Sequence, residues 1–481
     1  MIGMIKKEYK ELIQQGYNVV PLIAKWDNIA DLADIYEAFC PDPEQGGLLE
    51  SGRAGKYSYV AFSPLDKIRS RHGEKGNDPL LALKALMNKW KAPRVEHGPD
   101  WLGGALGLLS YDLVQHLEDM PDHAHDDLQL PDLLFTVYRD VVAIAHNEKA
   151  CYLITNVMAD DADDYEQGME RIRSMMEKMD SLVGKLGAEP VHTDLSVQEL
   201  EISPSFSKEQ FEQAVLKVQE YIRSGDVFQV NLSVRQDFSL SATPWEIYKT
   251  LRRVNPSPYM GYLHYPDFQV VSGSPELLIK LQGFKLSTRP IAGTRPRGKD
   301  REEDLRLANE LIGNEKERAE HIMLVDLERN DLGRVCKFGT VHVTDLMVIE
   351  EYSHVMHIVS HVEGELEEGR SGYDAIRACF PGGTITGAPK IRTMEIIEEL
   401  EPVKRGLYTG SIGWIGFNGD LELNIVIRTL VAKNDRGHVQ AGAGIVIDSK
   451  PEAEYYESLK KAEALLKAVQ LSKEKKKLSR V

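Results

Sequence analysis

The period of apolar positions changes several times along the chain, and each change marks an element. Residues 208–226, KEQFEQAVLKVQEYIRSGD, repeat apolar side chains every three to four positions and stop near Gly225, which predicts an amphipathic helix. YSYVAFSP (57–64), ALGLLSYDLV (105–114) and VVAIAHNEKACYLITNV (141–157) are rich in β-branched residues and predict strands around turns. VFQVNLSVRQDFSL, FQVVSGSPELLIKLQG, GTVHVTDLMVIEEYSHVMHIVSHVEGEL and LYTGSIGWIGF read the same way, several too apolar for either face to meet water. KPEAEYYESLKKAEALLKAVQ predicts a last helix with Pro451 in its first turn. Residues 187–206 lack periodicity and hold two prolines, so they are expected to link an N-terminal unit (1–186) to a second unit (207–470), with a solvated, frayed basic tail at 471–481.

Composition narrows the classes. A chain of 481 residues exceeds one ordinary core, so two subdomains are expected. The formal net charge of −17 disfavours nucleic acid and anionic membrane, and an anionic ligand would need positive potential built locally. Four widely spaced cysteines (Cys40, Cys151, Cys336, Cys379) fit reduced thiols in a cytoplasmic protein and supply no zinc motif. The alternation is not a regular βαβ, no GxGxxG follows a strand, and GTITGAPK is not a phosphate-binding P-loop.

The chemistry concentrates in a few segments. FPGGTITGAPKIRTMEIIEELEP (380–402) combines glycines, threonine hydroxyls and a lysine ahead of a helix N-terminus, a loop suited to a small carboxylate. Glu454 and Glu457, three apart, put two carboxylates on one helix face; Glu317 and Glu320 repeat that spacing. Two such helices could hold Mg²⁺, or be no more than dipole-favoured acids and a salt-bridged face with Arg318 and Arg329. In YSHVMHIVSHV, His354, His357 and His361 are expected on one strand face, or are ordinary core and edge histidines. QAGAGIVIDS (440–449) could offer N–H groups to a carboxylate or form a tight turn before the last helix.

SGDVFQVNLS, NPSPYM, SGSPELL, TRPIAGTRPRG, AEHIMLVDLERNDLGRV, YSHVMHIVS, PGGTITGAPKIRTMEIIEELEP, LYTGSIGW, NIVIRT, GAGIVIDS and EAEYYES occur in that order, and together they resemble the chorismate-utilising enzymes. The resemblance implies an α+β fold, a β-rich two-subdomain sandwich with helices packed outside. It implies Mg²⁺ held by Glu320 and Glu457 with Glu454 assisting, and chorismate bound by Gly293, Tyr408, Arg428, Gly442, Ala443 and Gly444. It assigns acid–base work to Glu276, puts His357 and Thr294 along the ring, and matches Lys390 to the lysine of the GAPK segment.

Single residues divide the family. Gln229 stands where the water-adding branches carry a basic lysine, so ammonia is the implied nucleophile. With no GxCxG elbow, the ammonia is expected from a separate glutamine amidotransferase subunit. Asn231, Gly383 and Thr386 resemble the branch that forms 4-amino-4-deoxychorismate for p-aminobenzoate and folate, whereas Ala292 resembles the anthranilate-forming branch of tryptophan biosynthesis. A non-catalytic tryptophan- or amidotransferase-binding subunit is the third alternative, set against the presence of Glu276, Glu320, His357, Arg428 and Glu457. Leu49, Glu50 and Ser51 with Asn255, Pro256, Tyr259 and Met260 resemble the family's tryptophan pocket, or are plain interdomain packing.

Overall fold

The computed structural model describes residues 6–52, 55–71, 78–159, 164–183, 200–352 and 355–478, with side chains described as far as Ser472. Its centre is the strand Leu133–Ala145, from which two antiparallel sheets diverge. One runs through Tyr57–Ser70, Gly47–Glu50, Tyr259–His264, Gln269–Ser274, Thr429–Lys433, Arg436–Ile445 and Gln229–Ser239. The other runs through Gly104–Leu109, Ser411–Gly416, Leu421–Asn424, Leu277–Gln282, Lys285–Arg289 and Val355–Glu365. Val355–Glu365 then pairs with both Ile291–Pro296 and His342–Glu351.

Alternating apolar residues of the two sheets meet face to face. Leu106, Leu108, Ile412 and Trp414 pack on Tyr59, Leu263, Val270 and Val431, and the Trp101 and Trp414 rings stack with centroids 6.0 Å apart. Helices cover the outer faces. Leu32–Phe39, Pro244–Val254 and Pro451–Leu478 lie over the first sheet, where Lys390–Leu400 also packs on Gln229–Ser239; Tyr165–Asp180 covers the strands Val19–Trp26 and Ala150–Met158, and Pro79–Met87, Glu315–Gly333 and Gly372–Cys379 lie over the second sheet. The α+β sandwich expected from the sequence is what the structure shows.

Several elements follow directly from local chemistry. Ser207 and Gln210 form a reciprocal capping box at the start of Lys208–Ser224, and Gly225 closes it at φ +84°. Thr243 and Glu246 cap Pro244–Val254 in the same way, with Pro244 in the first turn.

Strand pairing joins the two expected units: Gly47–Glu50 pairs with Tyr259–His264, and Gly104–Leu109 with Ser411–Gly416. Most of the expected linker, residues 187–199, lies outside the described residues. Two local expectations are corrected. ALGLLSYDLV is a strand only to Leu109; Tyr111 N–H then donates to the Gly406 carbonyl (2.7 Å) and Asp112 accepts the Gly406 N–H (2.9 Å), which turns the chain into a short helix. The C-terminal tail does not fray at 471. Leu471 and Ser472 are buried, the Ser472 hydroxyl donates to the Ala468 carbonyl (2.7 Å), and the helix continues to Leu478.

Candidate active site

The site forms where the 380–389 loop crosses the ends of the paired strands Gln229–Ser239 and Arg436–Ile445. The Asn231 N–H donates to the Thr386 carbonyl and the Phe228 N–H to the Ala388 carbonyl, both at 2.7 Å. Beneath the loop the buried Arg405 guanidinium grips Glu401 (2.8 Å) and donates to the carbonyls of Ile385 (2.9 Å) and Asn231 (2.6 Å). One buried ion pair therefore fixes both the loop and the strand that faces it. Breaking such a pair is worth about 3–5 kcal/mol.

The glycine run is strand interior, not a turn: Gly442 lies opposite Ser233 and Gly444 opposite Asn231. A Cβ at Gly444 would run into the Gln229 amide, and one at Gly442 into the Asn231 side chain. The glycines thus make room for two side-chain amides. Past Val439 the strand keeps a strand partner on one edge only, and on the helix side Lys461 Nζ donates to the Gly442 carbonyl (3.0 Å).

Four buried polar atoms here have no protein partner: Gln229 Oε1, Asn231 Oδ1, Thr384 Oγ1 and Glu276 Oε1. Native interiors rarely leave such atoms unsatisfied, and these four are free to accept or donate hydrogen bonds to a polar ligand. Burial pushes the Glu276 carboxyl up to about 7, against the nearby Thr384 hydroxyl, the Ile291 N–H and the Arg428 guanidinium. Such a carboxyl can give or take a proton near neutral pH.

Arg428 is partly buried at φ +50°, and among the described residues its guanidinium has no hydrogen-bond or ion-pair partner. Burial lowers its pKa, with Glu276 and Tyr352 opposing. A strained, unpaired guanidinium in a protein of charge −17 has its donors free to receive an anion. His357 is buried, and burial followed by the Arg428 charge pushes it down to about 4, so it is neutral. Its Nδ1 faces the Gly293 carbonyl at 3.0 Å and the Thr294 hydroxyl at 3.1 Å. The carbonyl requires a proton on Nδ1, which leaves Nε2 as a lone-pair acceptor. Gly293, at φ +61°, forms the bulge that brings that carbonyl and Thr294 together, and a Cβ there would press on Leu311 and Glu317.

Other expected residues are placed as follows. Lys390 is committed to Asp331 and to the Cys379 carbonyl (3.1 Å) beneath the loop. Tyr408 is buried with its ring 5.5 Å from the Arg405 guanidinium. Glu320 accepts from the Gln229 amide (3.2 Å), and Glu457 pairs with Lys461 (3.0 Å). Burial raises the carboxyls of Glu320 and Glu454, and the ammonium groups of Lys316 and Lys461 act on both, so the two helices bring these carboxylates to one region. Among the described residues no three His, Cys, Asp or Glu side chains form a ready-made metal cluster. His361 keeps the strand face of His357; His354 is three positions away, an odd step, and lies outside the described residues. Leu49, Glu50, Ser51, Tyr259 and Met260 line a cavity of about 660 Å³ between the sheets, which Asn255 and Pro256 do not reach. Glu50 is held there by Arg252 (2.7 Å) and Tyr248 (2.6 Å).

The family profile for chorismate binding enzymes matches residues 46–467. The chain is 51% identical over 442 residues to the aminodeoxychorismate synthase component 1 of Bacillus subtilis (strain 168), covering 90% of this chain and 93% of that protein. The chain belongs to the chorismate-binding enzyme family. The anthranilate synthase component 1 of Thermus thermophilus is 45% identical over 434 residues, covering 88% and 91%. The crystal structure of anthranilate synthase component I from Streptococcus pneumoniae TIGR4 superposes with a TM-score of 0.74 at 34% identity, covering 86% of this chain and 92% of that one.

For this chorismate-binding enzyme, sequence reasoning missed the buried polar supports. Glu328 and Asp331, three apart in LERND, look like a solvated helix face in sequence, yet both are buried. Arg405 and Glu401 sit four apart across the end of a helix, a spacing that signals a pair but not its burial. All four cysteines are buried and unpaired, and among the described residues no helix is long and apolar enough to cross a membrane.

Proposed function

We propose that this enzyme aminates chorismate at C4 to give 4-amino-4-deoxychorismate, taking ammonia from a separate glutamine amidotransferase subunit in the cytoplasm. The observation that carries the reading is the unpaired Arg428 guanidinium beside neutral His357 and the neutral-poised Glu276 carboxyl. Arg428 receives the enolpyruvyl carboxylate as a bidentate fork, with the backbone of Gly442–Gly444 alongside. Glu276 gives its proton to the C4 hydroxyl, which then leaves as water, and recovers a proton from the ammonia that adds. The Gln229 amide has no proton-abstracting lone pair comparable to an amine, which disfavours activation of water as the nucleophile. The identity to a relative named aminodeoxychorismate synthase component 1 supports this product over others.

The carboxylates fit a magnesium ion. Glu320 and Glu454 are both held above their ordinary range by burial, a cost that a dication would relieve, and Mg²⁺ needs only one or two carboxylates besides water and substrate oxygens. Glu320 and Glu457 would hold the ion with Glu454 assisting, and the ion would neutralise the ring carboxylate of chorismate. The second reading, anthranilate formation, is favoured by Ala292, which lies buried beside Gly293 and offers no nucleophile or base.

The metal part is tested by titrating Mg²⁺ into wild type and Glu320→Gln with chorismate and ammonia. The variant should lose at least about 100-fold in Mg²⁺-dependent turnover. Equal turnover and equal magnesium dependence would overturn the assignment.

A further inference from the structure

The strand Gln229–Ser239 turns two side-chain amides toward the glycine run, and the oxygen of each is left over. Gln229 and Asn231 are two positions apart, so they share one strand face. Asn231 lies opposite Gly444 on the facing strand, and the missing side chains of Gly444 and Gly442 leave the room that the Gln229 and Asn231 amides fill. The orientation of each amide follows from its partner. Gln229 Nε2 donates to Glu320 Oε1 (3.2 Å) and Asn231 Nδ2 to the Thr384 carbonyl (3.5 Å). A carboxylate or a carbonyl only accepts, so Gln229 Oε1 and Asn231 Oδ1 are turned away from these partners. The two residues are 3% and 8% exposed, and among the described residues neither oxygen has a hydrogen-bond partner. One buried face thus carries two acceptors with nothing to accept.

We propose that Gln229 Oε1 and Asn231 Oδ1 form the station that holds ammonia for its attack on chorismate. The inference rests on reading ammonia as the nucleophile. Chorismate itself cannot satisfy the two oxygens. Its carboxylates and ether oxygen are acceptors, and its single hydroxyl could serve only one of the pair. Ammonia has the complementary chemistry, with three N–H donors and one lone pair. Two N–H groups bond the amide oxygens, and the lone pair stays free for the ring carbon. That lone pair makes the C–N bond, the C4–O electron pair leaves with the protonated hydroxyl as water, and one N–H proton returns to Glu276. The nitrogen is positive until that proton leaves, and two fixed amide oxygens stabilise the charge. Neither amide is basic enough to deprotonate a water in the same place, so water held there is a poor nucleophile. Thr384 joins the station to the acid, since its carbonyl takes the Asn231 amide and its hydroxyl lies near the Glu276 carboxyl.

Asn231→Leu is the cleaner probe, because Gln229 also holds Glu320. Leucine keeps the size of the side chain and removes the acceptor. In steady-state kinetics with free ammonia as co-substrate, KM for ammonia should rise about 5- to 10-fold, while KM for chorismate and the Mg²⁺ dependence stay at wild-type values. The melting temperature should not fall, since the change removes an unpaired buried oxygen. An unchanged KM for ammonia, or parallel rises for ammonia and chorismate, would overturn the proposal, as a merely structural asparagine gives one or the other. A second arm needs neither turnover nor a variant. Ammonium chloride is titrated into the wild type at alkaline pH and read by thermal unfolding, with tetramethylammonium chloride, which has no N–H, as the matched salt. Unfolding should shift to higher temperature with ammonium relative to the control, and coincident curves would overturn the station. A protein that forms no aminated product fails the reading of the nucleophile, while the unfolding arm still decides whether the station binds ammonia.

Discussion

Glu276→Gln is expected to cut chorismate amination by about 10²–10⁴-fold, the worth of a positioned general acid, with little change in chorismate binding. The same substitution should make the protein more stable at pH 8. The carboxyl rises from an ordinary 4.5 to about 7 in the folded chain, the reverse of a salt-bridged acid. Below pH 4.5 both states are protonated and the group is neutral to stability. Between 4.5 and 7 the unfolded chain has released its proton while the folded one keeps it, so the unfolded state binds fewer protons and stability falls as pH rises. Above 7 the full penalty is present, up to about 3 kcal/mol at 1.36 kcal/mol per pH unit. Denaturant unfolding at pH 4 and pH 8 checks it: the variant gains stability only at pH 8. Equal stabilities at both values, or full activity, would remove Glu276 from the acid role.

Arg428→Met should be the most damaging change to substrate affinity. Removing one partner of a desolvated charge pair costs about 2–5 kcal/mol, or roughly 30- to 4000-fold in KM. Because the guanidinium has no hydrogen-bond or ion-pair partner among the described residues, the melting temperature should stay close to wild type. Arg428→Lys should recover part of the loss, since it restores charge without the planar fork. Steady-state kinetics across chorismate concentration, with thermal unfolding in parallel, separates the outcomes. An unchanged KM in Arg428→Met would refute the carboxylate site.

How much of this was legible in the sequence depends on the range of the interaction. The helix Lys208–Ser224 was readable to within about two residues of its end, because Gly225 acts within one turn. The strands were readable as apolar runs, but not their divergence from Leu133–Ala145 into two sheets, since register is set by partners far away in the chain. The glycine run could be read as a turn or a donor cradle; only its pairing with Gln229–Ser239 shows that the glycines accommodate side-chain amides.

For the site, the ordered family motifs point to Glu276, His357, Thr294 and Arg428, and the structure sets the His357 ring against the Thr294 hydroxyl. Lys390 shows the limit of that approach: a lysine beside a helix N-terminus reads as an anion binder, and Asp331, fifty-nine residues away, already occupies it. Glu328 and Asp331 were invisible for the same reason, because burial of a charged helix face depends on what packs over it.

The central claim is the identity of the aminated product. The purified chain should be incubated with chorismate, Mg²⁺ and ammonia, and the products separated before and after addition of a lyase that releases p-aminobenzoate from 4-amino-4-deoxychorismate. The expected result is a new aminated species that yields p-aminobenzoate only after the lyase is added. Anthranilate appearing without the lyase would contradict the account.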